Sequence, residues 1–180
     1  VMASIKAIKK LGARVFINKN ICKIHGVGVG GYKYKKDLVI DAQNSGTLSR
    51  LITGILIDTP FPIKIIGDKS LSKRDFRRIT EPLSKFGASF NLKNKSKLPL
   101  VIKGSNKLKS IKFFENKGSA QCKSSVIFGG IKAEGKTIIK AKKSRNHTEL
   151  LFQHLKLPIK IKKSKNFDLI EISKVDKIKP

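Results

Sequence analysis

The sequence predicts an α/β protein built from repeated βαβαββ units, two of them complete and a third represented only by its end. Three observations predict it. Similar segments recur at near-constant offsets, each couples a helix to two short strands of alternating apolar residues, and small-residue turns separate the elements. The clearest recurrence is a helix end running into a strand pair. Leu11-Gly12-Ala13-Arg14-Val15-Phe16-Ile17 leads to Ile24-His25-Gly26, and Phe86-Gly87-Ala88-Ser89-Phe90-Asn91-Leu92 leads to Val101-Ile102-Lys103-Gly104. Leu155-Lys156-Leu157-Pro158-Ile159-Lys160-Ile161 then leads to Leu169-Ile170-Glu171-Ile172, so the three segments start at the almost evenly spaced positions Leu11, Phe86 and Leu155.

Taken in order, residues 1–36 supply the last helix and hairpin of a preceding unit. Val1-Met2-Ala3-Ser4-Ile5-Lys6 opens directly into a helical apolar spacing, without a signal-peptide core, as a cut through a larger chain would. Gly12 stands where a helix end favours a left-handed residue, and the Val/Phe/Ile alternation after it reads as a strand with one buried face. Residues 37–106 form the second unit. Asn44-Ser45-Gly46-Thr47-Leu48-Ser49-Arg50 starts an apolar helix, Ser70-Leu71-Ser72-Lys73-Arg74 a further one, and Gly87 closes the last before two strands. Residues 107–174 repeat the plan. Gly118-Ser119-Ala120-Gln121-Cys122-Lys123-Ser124 answers the stretch from Asn44, and Ser144-Arg145-Asn146-His147-Thr148 answers the stretch from Ser70, both at one and the same offset. Residues 175–180 follow the last unit and are expected to begin a linker. Asn44, Ser119 and Ser144 all precede helical segments, whose free N–H groups and positive dipole ends attract anions.

Composition narrows the function classes. The 180 residues are 39% hydrophobic, enough for a core, and carry 40 Lys+Arg against 12 Asp+Glu for a formal charge of +28. Six of the basic residues are Arg (Arg14, Arg50, Arg74, Arg77, Arg78 and Arg145) and the lysines are scattered along the chain, so the charge reads as solvated surface. A basic nucleic-acid-binding module is the alternative that the charge suggests. It is disfavoured because the Phe residues fall mostly at apolar-periodic positions, Tyr occurs only at Tyr32 and Tyr34, and Trp is absent. Cys22 and Cys122 form no metal-ligand spacing and no disulfide framework, which suggests a reduced cytoplasmic setting. The longest apolar stretch, Leu51 to Ile66, is interrupted by Asp58, Pro60, Pro62 and Lys64 and does not read as a membrane span.

Five stretches carry a resemblance. They are Asn44-Ser45-Gly46-Thr47 with Arg50, Gly67-Asp68-Lys69-Ser70-Leu71 with Arg74, Leu98-Pro99-Leu100 with Ile102 and Gly104, Gly118-Ser119-Ala120-Gln121 with Lys123 and Ser124, and Ser144-Arg145-Asn146-His147-Thr148-Glu149. By their order and spacing the chain resembles the 5-enolpyruvylshikimate-3-phosphate synthases over essentially its whole length. The resemblance implies two similar domains of three βαβαββ units each, with substrates bound between them, and this chain would be most of the first. The implied reaction transfers the enolpyruvyl group of phosphoenolpyruvate to the 5-hydroxyl of 3-phosphoshikimate, releases phosphate, and uses no metal or organic cofactor. The UDP-N-acetylglucosamine enolpyruvyl transferases are the alternative family, disfavoured by the Ser-Ala-Gln triplet and the Ser144 to Glu149 stretch.

By matching position, the resemblance implies that Ser119 and Ser144 donate to the 3-phosphate, that Arg145 adds charge there, and that Gln121 contacts both shikimate and phosphoenolpyruvate. Gly46, Thr47 and Arg74 would serve phosphoenolpyruvate, with Arg74 as a bidentate clamp. Arg50 reads as a structural ion-pair residue, and His147 and Glu149 receive no chemical role. One departure bears on Arg74: Asp75 stands where the family has proline, and Ser72-x-x-Asp75 offers a capping box that would turn the carboxylate toward its own helix start. The resemblance places no catalytic residue in this stretch. It implies a Lys-Ser pair and an Arg upstream of Val1, an acid/base Asp and Glu beyond Pro180, and the second domain as a partner without which the chain is inactive.

Overall fold

The computed structural model describes residues 1–178, so residues 179 and 180 of the expected linker lie outside the described residues. Helix α1 (Met2–Lys10) is followed by the antiparallel hairpin of β1 (Arg14–Asn18) and β2 (Ile21–His25). Next come β3 (Leu38–Asp41), α2 (Gly46–Ile55), β4 (Ile63–Ile66), the short α3 (Lys69–Ser72), α4 (Arg77–Ser84), β5 (Ser89–Lys93) and β6 (Lys97–Lys103). The chain then runs through β7 (Lys112–Glu115), α5 (Ala120–Gly130), β8 (Lys136–Lys142), α6 (His147–His154), β9 (Ile159–Lys163) and β10 (Phe167–Ser173). The α/β fold class expected from the sequence is observed.

Two four-stranded sheets have the same plan, β3-β4-β6-β5 and β7-β8-β10-β9. In each, the first two strands are parallel and the remaining pairings antiparallel. Alternation decides which side is buried: Ile63 and Ile65 of β4, Leu100 and Ile102 of β6, and Ile139, Ile170 and Ile172 of the other sheet are fully buried. Gly12 and Gly87 have φ of 103° and 116°, and Lys156 occupies the equivalent place in the last segment with φ 53°.

Helices α2 and α5 pack side by side and run in the same sense, since Thr47 meets Gln121 near their starts and Ile57 meets Gly129 near their ends. Gly54 permits the approach. A Cβ there would lie 2.3 Å from the Ser125 carbonyl oxygen. The Ser125 hydroxyl closes the crossing by sharing its one proton between the carbonyls of Arg50 (2.7 Å) and Gln121 (2.9 Å). The two helices therefore open their N-terminal ends at one place.

A buried polar cluster ties the segments together. Lys132 bonds the Ile55 carbonyl (2.6 Å), Asp58 (2.5 Å) and the Tyr32 hydroxyl, which itself reaches the Ile55 carbonyl at 2.6 Å. Burial, then Asp58, pushes the Tyr32 hydroxyl far above its ordinary pKa, while burial draws Lys132 down against the opposing pull of Asp58. No helix among the described residues is long and apolar enough to cross a membrane.

Candidate functional site

The starts of α2 and α5 are built alike. Ser45 caps α2 by accepting from the Leu48 N–H (3.1 Å), and Ser119 caps α5 by accepting from the Cys122 N–H (3.3 Å). Ser45, the residue after Asn44, is thus the cap in the second unit, because its β-region backbone aims the hydroxyl at the first turn. The turn before α5 is held from below. Buried Glu115, at the end of β7, accepts from the N–H groups of Lys117 (3.1 Å) and Ser119 (3.0 Å).

Ser119 opens onto a depression of about 390 Å³ that it shares with Gly118, Ala120, Gln121, Ser144 and Arg145. A second depression of about 140 Å³ adjoins it through Ala120, Gln121 and Arg145 and continues along Thr47, Leu51, Ser124, His147 and Thr148. Five expected site residues, Thr47, Ser119, Gln121, Ser144 and Arg145, therefore line one continuous recess although they come from two repeat units. Capping does not exhaust Ser119: its oxygen accepts from Cys122 while its proton remains to be donated. Ser144 differs from expectation in its local role. Helix α6 begins three residues later, behind Asn146, and Ser144 sits in the loop with its Oγ shielded from solvent and without a hydrogen-bond partner among the described residues.

Gln121 is locked across the recess. Its Oε1 accepts from Arg50 at 2.5 Å and its Nε2 donates to the Thr47 hydroxyl at 2.7 Å, leaving one amide proton uncommitted. The ion-pair reading of Arg50 is corrected here: among the described residues no carboxylate lies within ion-pair distance of Arg50, nor of Arg74 or Arg78. Burial lowers the Arg50 pKa, and the charges of Arg74 and Arg78 push it the same way while Cys122 opposes them. Uncompensated positive charge accumulates at the start of α2.

Arg74 reaches this place by passing over Gly46. A Cβ on Gly46 would stand 2.9 Å from Arg74 Nη1, so the two residues share a space that only a bare backbone leaves open. Asp75 does not interfere. Its carboxylate accepts from the Arg77 backbone N–H (2.8 Å) and pairs with the Arg77 guanidinium at 2.5 Å, and these bonds hold it below the ordinary carboxylate range. The Ser72-x-x-Asp75 capping box does not form, because Ser72 ends α3 and α4 begins at Arg77 behind Phe76; Asp75 turns to its own helix start through the Arg77 N–H instead. The arginine that follows Asp75 takes up its charge and leaves Arg74 unpaired.

Two contacts that sequence reasoning missed join α5 to α6. Lys123 and Glu149 form an ion pair of 2.5 Å with side chains 1% and 3% exposed, and the hydroxyls of Ser124 and Thr148 meet at 2.7 Å. They fix the loop that carries Ser144 and Arg145 against the end of α5 that carries Ser119 and Gln121. A lysine as the single charged residue of a helix was the available signal. Glu115 also had one, since the offset between the two complete units relates it to Asp41, which accepts from the Gln43 N–H at 2.8 Å at the end of β3.

Residues 1–176 match the family described as EPSP synthase (3-phosphoshikimate 1-carboxyvinyltransferase). Relatives named 3-phosphoshikimate 1-carboxyvinyltransferase include one from Caldicellulosiruptor bescii, 42% identical over 88% of this chain and 37% of its own length. Another, from Sulfurihydrogenibium sp., is 36% identical over 99% of this chain and 42% of its own. A solved EPSP synthase from Acinetobacter baumannii superposes with a TM-score of 0.88 at 33% identity, covering 98% of this chain and 39% of that one. The chain thus spans about two fifths of the length of these proteins. With sequence match and fold in agreement, the chain belongs to the EPSP synthase (3-phosphoshikimate 1-carboxyvinyltransferase) family.

Proposed function

We propose that this chain supplies the 3-phosphoshikimate-holding wall, and part of the phosphoenolpyruvate site, of an enzyme that transfers the enolpyruvyl group to the 5-hydroxyl of 3-phosphoshikimate and releases phosphate. Ser119 and Ser144 donate to the 3-phosphate, Arg145 adds charge, and the free amide proton of Gln121 reaches substrate. Arg74, passing over Gly46 beside Thr47, addresses phosphoenolpyruvate. Both substrates are polyanions, so oriented donors and unpaired guanidinium groups are the contribution such a wall can make to the rate. The free thiols Cys22 and Cys122 suit the reducing cytoplasm in which we place the protein.

The observation that carries this reading is that Ser144, whose Oγ has no hydrogen-bond partner among the described residues, lines one recess with Ser119 and Arg145. A shielded hydroxyl without a partner is costly, and turning it into the recess toward a phosphate oxygen removes that cost. Titration calorimetry of the folded chain with 3-phosphoshikimate and with shikimate tests it. The phosphorylated ligand should bind and shikimate bind far more weakly; equal responses, or none, would remove the assignment.

A further inference from the structure

The lysines that look scattered in sequence are gathered in space on the solvent face of the β7-β8-β10-β9 sheet. Strand alternation and register place Lys112, Lys136, Lys140, Lys142, Lys160 and Lys162 on that face, against one carboxylate, Glu171, which pairs with Lys136 at 3.1 Å. Two aromatic rings stand among them. Phe114 is 51% exposed, its ring centroid lies 5.4 Å from that of the half-buried Phe167, and Lys140 Nζ lies 5.4 Å from the first centroid and 5.2 Å from the second. Leu169, 44% exposed and paired with Lys140 across the strands, completes an apolar floor.

The sister sheet β3-β4-β6-β5 is an internal control. It has the same topology, and its solvent face carries Lys64, Lys93, Lys97 and Lys103, but no strand residue on that face is aromatic. A general excess of lysine explains both faces. It does not explain why two adjacent rings, Phe114 half exposed and Phe167 half-buried, stand together under Lys140 on one of them only.

We propose that the outer face of the β7-β8-β10-β9 sheet binds single-stranded nucleic acid without sequence preference, bases stacking on Phe114 and Phe167 while the surrounding lysines neutralise phosphates. The chemistry of the face selects this partner. An acidic peptide satisfies the lysines without stacking on the rings, an anionic lipid surface takes up rings among its headgroups but offers no π-face to pair with them, and a duplex keeps its base faces stacked within itself. A polyanion that repeats a phosphate and an exposed π-face answers both features. The face borders the recess where the Lys142 side chain approaches Gly118, but Phe114 and Phe167 are not among the residues lining the recess, so the ring substitutions test the face independently of the proposed function.

Fluorescence anisotropy with a labelled oligothymidylate of about a dozen nucleotides tests it, titrated across salt and compared with a duplex of equal phosphate number. The single strand should bind more tightly than the duplex. Replacing both rings, Phe114→Leu with Phe167→Leu, keeps apolar volume and should weaken binding about tenfold or more without changing the salt slope. Lys140→Gln with Lys142→Gln should reduce that slope by roughly 1.4, at about 0.7 per neutralised phosphate of a single strand. The proposal is overturned by leucine variants that bind as tightly as the parent, by a duplex bound as tightly as the single strand, or by Lys64→Gln, Lys97→Gln and Lys103→Gln together costing as much affinity as the loss of the rings. Competition by polyglutamate at matched charge as effective as unlabelled oligonucleotide also overturns it, because the face would then read charge alone.

Discussion

Replacing Gly46 with alanine separates the two anion sites. The new Cβ would lie 2.9 Å from Arg74 Nη1, well inside the 3.4 Å at which ordinary contact begins, while its other neighbours, Arg74 Cζ and Leu71 Cδ1, stand at 3.8 Å. The guanidinium must yield, and it can, because it is the far end of an exposed, flexible side chain. Stability should therefore change by less than about 1 kcal/mol, with alanine's better helix propensity in the first turn of α2 acting against the crowding. Anion binding is less tolerant. A charge-assisted hydrogen bond is worth about 1.5–3 kcal/mol and depends on alignment, so losing one of Arg74's bonds should weaken phosphoenolpyruvate roughly ten- to a hundredfold. Ser119 and Ser144 lie on the other side of Gln121 and should be unaffected. In the enzyme extended to the length of its relatives, the Michaelis constants for the two substrates, measured beside a thermal melt, are the assay. An unchanged constant for phosphoenolpyruvate, or an equal rise for 3-phosphoshikimate, would refute the reasoning.

Ser119→Ala and Ser144→Ala should each weaken 3-phosphoshikimate binding by about 1–3 kcal/mol, but they should differ in stability: the first removes a helix cap worth about 1 kcal/mol, whereas the second removes an unsatisfied buried hydroxyl and should leave the melting temperature unchanged or raised. Calorimetry and thermal unfolding on the same samples read both effects. Lys123→Met or Glu149→Leu alone leaves an uncompensated buried charge and should cost about 3–5 kcal/mol, while the double replacement should recover much of that in denaturant titrations. Single and double variants of equal stability would show that the pair is not coupled. Phosphate release from phosphoenolpyruvate with 3-phosphoshikimate present should be absent for the 180-residue chain and present when the chain is extended to the length of its relatives. Comparable turnover by the short chain would place the acid/base groups within it.

The sequence by itself determined what depends on neighbours along the chain. The α/β class follows from strand alternation and helical spacing, which are local, and the recurrence of Asn44-Ser45-Gly46 at Gly118-Ser119-Ala120 already marked two like helix starts. The tertiary structure decided what depends on which surfaces meet. Gln121 finds Thr47 and Arg50 only because Gly54 lets α2 and α5 touch, a contact between residues far apart along the chain. Asp75 is drawn to Arg77 and away from Arg74 by a turn whose geometry no spacing rule specifies. Phe114 and Phe167, both at apolar-periodic positions, come together on the solvent face because alternation tells that a strand has two faces and only packing tells which of them is covered.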